Sequence, residues 1–514
     1  MGDRRRTHRA LAVLVPLAVA LVALTAPSVH AAAPMSSTPP AAPGSGRKTN
    51  HDIEPTVAVA PNGTLWATST VLGEKTGGQD IWKSTDGGTT WKWVADPFRP
   101  PGAVVSFGGG DADIAVATRT NSSGHYNIYA ASLWVVAGEG GLLVGDISLA
   151  ISTDGGKTWL EHPLAGEVPG DDRPWVAADG ACRVYLNYHG GPTLANVVNV
   201  YDLCDPLATV AGATLTPLES TRYPSLSTDA ATDAPATYVT AGFGKMAVDT
   251  TPGSPGYHRI YIPMMDCPHM TLQQEVGRVE AADPGCPVGT RAEVYVLVGV
   301  PGGSNPGPAG IETPGVPDAI GWTLADLGPS PTSEVAVWPA TASMDKAGDV
   351  IVAWHDNHHS HVQASADQGR HWTAPVTLPS AGSAVYPTVA TTGIGRAVVA
   401  FYGANLPGDA NDTAVMGAPG AAGAATWALD AVAVGYDSVH ATINMGPIQS
   451  LDPLVHRGIL CTKGDACTVA GSRDLFDNFG AVASPNGARV TIAYTSDGGG
   501  TLAADATKAV TIAS

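Results

Sequence analysis

Ser84-Thr85-Asp86-Gly87-Gly88-Thr89-Thr90-Trp91 recurs as Ser152-Thr153-Asp154-Gly155-Gly156-Lys157-Thr158-Trp159 and, more loosely, as Ser365-Ala366-Asp367-Gln368-Gly369-Arg370-His371-Trp372. Ser496-Asp497-Gly498-Gly499 reads as a shortened copy. The pattern has a mechanical meaning. The Asp side chain accepts hydrogen bonds from backbone N–H groups just after it and closes a tight turn. Gly supplies the positive φ that the turn requires. Trp covers the hairpin and packs into the sheet behind it. Each copy is therefore a hairpin turn between two strands, and Asp86 and Asp154 are expected to be structural.

A second repeat runs in phase with the first. Short apolar strands led by a polar or aromatic residue, often with Pro, stand at Glu54-Pro55-Thr56-Val57, Asp113-Ile114-Ala115-Val116, Arg173-Pro174-Trp175-Val176, Tyr223-Pro224-Ser225-Leu226, Trp338-Pro339-Ala340-Thr341, Tyr386-Pro387-Thr388-Val389 and Phe479-Gly480-Ala481-Val482. Lys245-Met246-Ala247-Val248 is a further candidate. Most are followed by a Gly-containing turn and a second strand rich in Val, Ile and aromatics. The unit is strand A, turn, strand B, loop, strand C, Asp turn, strand D. A four-stranded unit recurring along a chain describes the blades of a β-propeller. The expected fold is all-β, with six or seven four-stranded blades.

These motifs make the chain resemble the Asp-box (BNR-repeat) proteins, whose best-known members are the sialidases. The resemblance covers most of the chain after about residue 50. It implies a sialidase-like β-propeller, a secreted bacterial member of the group, and a glycan-acting protein working at the mouth of the central channel. The implied activity is that of an exo-α-sialidase or another glycoside hydrolase. The alternative is a non-catalytic propeller that binds carbohydrate or protein at the cell surface. The Phe/Tyr-Arg-Ile-Pro motif of sialidases does not occur before the first blade, where the chain reads Arg47-Lys48-Thr49-Asn50-His51-Asp52-Ile53-Glu54-Pro55.

Residues 1–33 read as a secretory signal peptide: Arg4, Arg5, Arg6 and Arg9 precede an apolar run from Leu11 to Leu24 and small residues at 29–33. Residues 34–50, rich in Pro, Ser, Ala and Gly, read as a flexible leader, and the propeller is expected over 51–514. The expected location is extracellular. The 514 residues carry 46 Asp and Glu against 27 Lys and Arg, a net charge of −19. Such a surface repels nucleic acid and anionic lipid, so neither is an expected partner, and a monomer is expected. The six Cys fit disulfides in an exported chain, and sequence proximity favours Cys182–Cys204, Cys267–Cys286 and Cys461–Cys467.

Chain geometry locates the candidate site. In an antiparallel blade the A–B and C–D turns share one face, so the Asp turns lie remote from the opposite face. Strand A lines the channel, and residues entering it converge at the mouth on that opposite face. The candidate catalytic residues are Asp172, Glu54 and Tyr386. The candidate substrate-binding residues are Arg173, Arg222, Arg473, Tyr223, Asp171, Asp477 and His355, with Asp111 and Asp113 at the same level. Carboxylates, Arg and Tyr together are the groups that the resemblance implies for a retaining sialidase: an Arg cluster, a Tyr nucleophile and an acid/base carboxyl. His355, His358, His359 and His361 read as a loop of local hydrogen bonds. No metal ligand and no cofactor are assigned, and the expected partner is a glycan or glycoconjugate.

Overall fold

The computed structural model describes residues 52–71, 78–99, 108–137, 143–162, 172–190, 195–204, 244–267, 289–301, 320–335, 340–464, 467–475, 477–500 and 507–514, with short pieces at 35–37, 40, 215, 217–223, 228–229, 234–235 and 286. The signal-peptide reading of 1–33 and the candidate Asp171 lie outside these residues.

Seven antiparallel sheets of at least four strands form the blades of a β-propeller. Their innermost strands are Asp52–Val59, Ala112–Thr120, Asp172–Asp179, Ala247–Val248, Ala340–Met344, Ala384–Gly393 and Gly480–Ala483. Blades are numbered 1 to 7 in that order. The seven-blade count follows from one replacement among the strand-A candidates. Lys245–Val248 enters blade 4, while Tyr223 ends the outermost strand of blade 3, Glu219–Tyr223. Blade faces are covered on both sides by neighbouring blades, so the second strands are continuously buried rather than alternating. Leu65–Val71 is buried at every position, and so is Val350–His355. Fully buried Trp82, Trp354, Trp427, Tyr129 and Tyr185 fill the gaps between sheets.

The Asp turns of blades 1, 2 and 5 share one hydrogen-bond pattern. Asp86 Oδ1 accepts from the Thr90 N–H at 2.9 Å and from the Ser84 hydroxyl at 2.8 Å. Asp154 Oδ1 accepts from Thr158 N–H at 3.0 Å, and Asp367 Oδ1 from His371 N–H at 2.9 Å. Gly88, at φ 89°, is fixed for a second reason: a Cβ there would meet Thr511 Oγ1 of blade 7 at 2.5 Å. The Asp turn thus locks its blade against the preceding one. The expected fourth copy is different. Ser496–Gly499 follows the second strand of blade 7, Arg489–Thr495, so it lies on the mouth face. There Asp497 is buried and paired with His456 Nδ1 at 2.5 Å.

Within the segment read as a leader, the described residues 35–37 and 40 take part in ring closure. Met35–Ser37 pairs antiparallel with Ala509–Thr511 and supplies the outer strand of blade 7. Indole donors from blade 1 hold this strand: Trp91 Nε1 donates to Ser37 Oγ at 3.0 Å, and Trp82 Nε1 to the Pro40 carbonyl at 2.8 Å. Backbone groups left unpaired at a sheet edge are costly, which explains why a short Pro-rich segment is drawn into the fold.

All three expected disulfides are present: Cys182–Cys204, Cys267–Cys286 and Cys461–Cys467. This covalent pattern fits an extracellular protein. Among the described residues no helix is long and apolar enough to cross a membrane.

Two outcomes are expected. Removing residues 34–40 lowers the melting temperature and raises iodide quenching of tryptophan fluorescence, because Trp82 and Trp91 lose their cover. Asp86→Ala costs about 1 kcal/mol at neutral pH, since the carboxylate is exposed and solvent screens its bonds. Asp86 is lowered to about 2, chiefly by the Thr90 hydroxyl, then by the Thr90 N–H. A depressed carboxyl stabilises above its unfolded pKa and loses that effect as pH falls through the folded one. The difference between wild type and variant should therefore close between about pH 4 and pH 2 in thermal melts.

Candidate functional site: the channel mouth

The innermost strands of blades 1, 3 and 6 begin with the same irregularity. In each, two residues on the inner strand face one on its neighbour, between Ile53 and Thr56, between Asp172 and Trp175 and between Val385 and Thr388. Each is a single-residue β-bulge. The bulge holds an X-Pro pair, and X has a left-handed backbone: Glu54 at φ 50°, Arg173 at φ 57° and Tyr386 at φ 53°. Pro lacks the N–H a regular ladder needs, so it fits a bulge. A non-Gly residue in that conformation costs about 1–3 kcal/mol. Three such residues at equivalent entries to the channel, bearing a carboxyl, a guanidinium and a phenol, mark this level of the propeller as a site.

Glu54 is buried, and its carboxyl hydrogen-bonds the side chain of Asp111. Its Oε1 also accepts from the Asp477 N–H at 3.0 Å. Burial, then the charge of Asp477, push Glu54 up to about 7. Asp111 is pushed well above the usual carboxyl range by burial and by the neighbouring Glu54. Two carboxyls hydrogen-bonded to each other, Glu54 buried and Asp111 half-buried, share a proton, because both cannot ionise cheaply.

Beside this pair runs a second chain. The Tyr386 hydroxyl lies 3.4 Å from Asp477 Oδ1 and 3.3 Å from the Cys461 carbonyl. Burial foremost, then the Asp477 charge, push the Tyr386 phenol far up, so it is neutral. Arg473 spans both oxygens of Asp477, with Nε 3.2 Å from Oδ1 and Nη2 on Oδ2. Such a two-pronged pair fixes a carboxylate in orientation. At the rim, Arg173 Nε stands 3.6 Å from Asp172 Oδ2, with side chains 18% and 42% exposed. Across the channel Lys245 Nζ meets buried Asp113 Oδ1 at 2.5 Å.

The structure thus brings Glu54, Asp172, Arg173, Tyr386, Arg473 and Asp477 to the mouth. It does not bring Arg222 and Tyr223 to strand A. They lie in the outermost strand of blade 3, paired with Val197 and Asn196, because the inner strand there is formed by Asp172–Asp179. His355 is fully buried and meets the Tyr386 ring edge-on at 5.1 Å between centroids, so it braces Tyr386. Its neighbours form the expected local bonds: Asp356 accepts from the His358 and His359 N–H groups and from His361 Nε2. The half-buried carboxyl beside Glu54, Asp111, precedes an inner strand without the X-Pro signal, and only its place in the repeat points to it.

Below the mouth the channel narrows to a throat of about 20 Å³, then widens to a chamber of about 350 Å³ between the inner strands of blades 1, 4, 5, 6 and 7. Throat and mouth share Tyr386 and Asp477.

No family model matches this chain, and no curated protein matches it. Solved structures do. An α-L-arabinanase of Penicillium chrysogenum is 14% identical over 72% of this chain and 93% of its own, with a TM-score of 0.43. An α-L-arabinofuranosidase of Fusarium graminearum is 14% identical over 73% and 93%, with a TM-score of 0.44. The NanB sialidase of Streptococcus pneumoniae is 10% identical over 91% and 69%, with a TM-score of 0.38. At these values the likeness does not reach function, which has to be argued from the mouth itself.

The raised Glu54 has a consequence for stability. Between the ordinary carboxyl range and about pH 7 the folded protein keeps a proton that the unfolded chain has released, so this group's contribution to stability falls as pH rises. Glu54→Gln keeps a neutral side chain at every pH. Its melting temperature relative to wild type should be higher at about pH 8 than at about pH 5. An equal difference at both would remove the shared proton from the account.

Proposed function

We propose that the channel mouth is the active site of a glycoside hydrolase acting on the end of a neutral glycan. The observation that carries this reading is the Glu54–Asp111 carboxyl pair beside the Tyr386–Asp477–Arg473 chain. A group titrating at about 7 is suited to general acid catalysis near neutral pH. In this reading the Glu54–Asp111 pair gives its proton to the glycosidic oxygen as the bond to the anomeric carbon breaks. Tyr386 attacks that carbon from the other side while Asp477 takes the phenolic proton. Arg473 holds Asp477 in line, and Asp172 and Arg173 contact the sugar at the rim. Water then releases the sugar from Tyr386, with the carboxyl pair taking a proton from the water and Asp477 returning its proton to the departing phenolate.

The charge balance favours a neutral substrate over an anionic one. Arg173, Arg473 and Lys245 are each engaged by a carboxylate, and Arg222 sits in an outer strand. A sugar carboxylate would have to compete with those partners.

The test is hydrolysis of a panel of para-nitrophenyl glycosides, neutral and sialylated. Wild type is expected to turn over a neutral member, with kcat/KM falling as pH rises past about 7. Glu54→Gln and Tyr386→Phe should each lose about a hundredfold or more in kcat. Arg173→Ala should raise KM with little change in melting temperature. Binding of a neutral sugar without turnover would leave a carbohydrate-binding propeller, and a preference for the sialylated member would overturn the neutral assignment.

A further inference from the structure

Asn478 lines the throat, and its amide oxygen and nitrogen are both screened from solvent without a hydrogen-bond partner among the described residues. Thr56, two residues beyond Glu54, lines the same throat, and its buried hydroxyl is unpartnered in the same sense. Buried polar groups are almost always paired with protein or water, so unpaired ones at one small cavity call for a partner there, a water in the empty site or a ligand group that displaces it. Asn478 belongs to the segment that enters the inner strand of blade 7, and that strand passes tightly against blade 1: a Cβ on Gly480 would stand 2.9 Å from the Thr56 Cα. Thr56 on its strand and Asn478 just before the neighbouring one are therefore held close by backbone packing.

The size of the throat limits its occupant. About 20 Å³ holds one water-sized group and excludes a sugar ring. The lining limits its chemistry. The Asn478 amide offers donors and an acceptor, Thr56 Oγ1 offers both, and Lys245 Nζ adds donors from across the channel. An occupant that both donates and accepts fits this set. A hydroxyl does so; a methyl would leave the amide unpaired. A hydroxyl borne directly on a ring would bring the ring into the constriction, whereas a hydroxymethyl reaches in by one extra carbon. Tyr386 and Asp477 border both throat and mouth, so a hydroxymethyl seated here would hold the rest of the sugar beside the carboxyl pair.

We propose that the throat is a subsite for the exocyclic hydroxymethyl of a terminal hexose, read by Asn478 and Thr56. This assignment rests on the mouth being a carbohydrate site. It adds a specificity that the mouth alone does not define: hexosides over their deoxy counterparts, in which the hydroxymethyl is a methyl, and over pentosides.

The experiment uses matched para-nitrophenyl hexosides, deoxyhexosides and pentosides of gluco, galacto and manno configuration, with calorimetric binding of the free sugars in parallel. Wild type is expected to prefer the hexose member of one series by about tenfold or more, because its absence leaves buried polar groups unpaired. Asn478→Ala and the near-isosteric Thr56→Val should each narrow that ratio, with melting temperatures near wild type. Loss of the preference in either variant through a rise in KM or Kd for the hexose alone supports the subsite. A ratio near one in wild type, or variants that weaken hexose and deoxyhexose equally, overturns it. Selective binding of a hexose that depends on Asn478, without hydrolysis of any glycoside, would keep the subsite and remove the catalytic reading. No binding and no turnover of any member would remove both.

Discussion

A ring of sheets is only as firm as its last seam, and here the seam is Met35–Ser37 lying on Ala509–Thr511. Every blade packs against two neighbours, so a gap between blades 7 and 1 would relax the whole circle. The site is unusually dependent on that seam. Glu54 comes from blade 1, whereas Asp477 comes from the approach to blade 7, and the Asp477 N–H is bonded to Glu54 Oε1. The Glu54 N–H in turn donates to Thr495 Oγ1 of blade 7 at 3.1 Å. Closing the ring and fixing Glu54 against Asp477 and Thr495 thus use the same boundary.

The bulges at Glu54, Arg173 and Tyr386 convert a fold into a site. A regular inner strand would alternate its side chains between the two neighbouring blades. An extra residue in the left-handed region breaks that alternation and re-aims one side chain per blade. The backbone cost is met by packing elsewhere, as in the fully buried strands behind. The irregularity recurs in blades 1, 3 and 6 with different chemistry at X, so one backbone device delivers an acid, a cation and a phenol to one level of the channel.

Much of this was legible in the chain. The Asp turns and the X-Pro strand entries are local signals, written in contiguous residues, and they located the blades, the mouth and the residues Glu54, Arg173 and Tyr386. What failed was non-local. Tyr223-Pro224 has the same local form as a strand entry, but blade 3 already has Asp172–Asp179 as its inner strand, so the segment finishes that blade on the outside. Ser496–Gly499 resembles an Asp turn, yet it follows a second strand rather than a third. His355 has polar neighbours, while the ring packing that buries it against Tyr386 is set by two different blades. Asn478 carries no motif at all; its interest comes from a buried amide at a constriction, which only the assembled channel defines.

The Cys461–Cys467 disulfide shows how a small covalent feature serves the site more than the fold. It spans only 6 residues, against 22 and 19 for the other two, so its effect on the unfolded chain is the smallest of the three in the loop-entropy view. Its position matters more. The Cys461 carbonyl faces the Tyr386 hydroxyl, and the same segment continues into Arg473 and Asp477. Side chains tie it to blades 5 and 6: Thr462 Oγ1 donates to Asn357 Oδ1 at 2.8 Å, the Thr462 N–H donates to Asn411 Oδ1 at 2.8 Å, and Asn357 Nδ2 donates to Glu334 Oε2 at 2.7 Å. A loop fixed at this many points presents Asp477 to both Tyr386 and Glu54 without waiting for a ligand to order it. Pre-organisation of that kind is what a site needs when its groups come from three different blades, 6, 7 and 1, that meet at one edge of the channel.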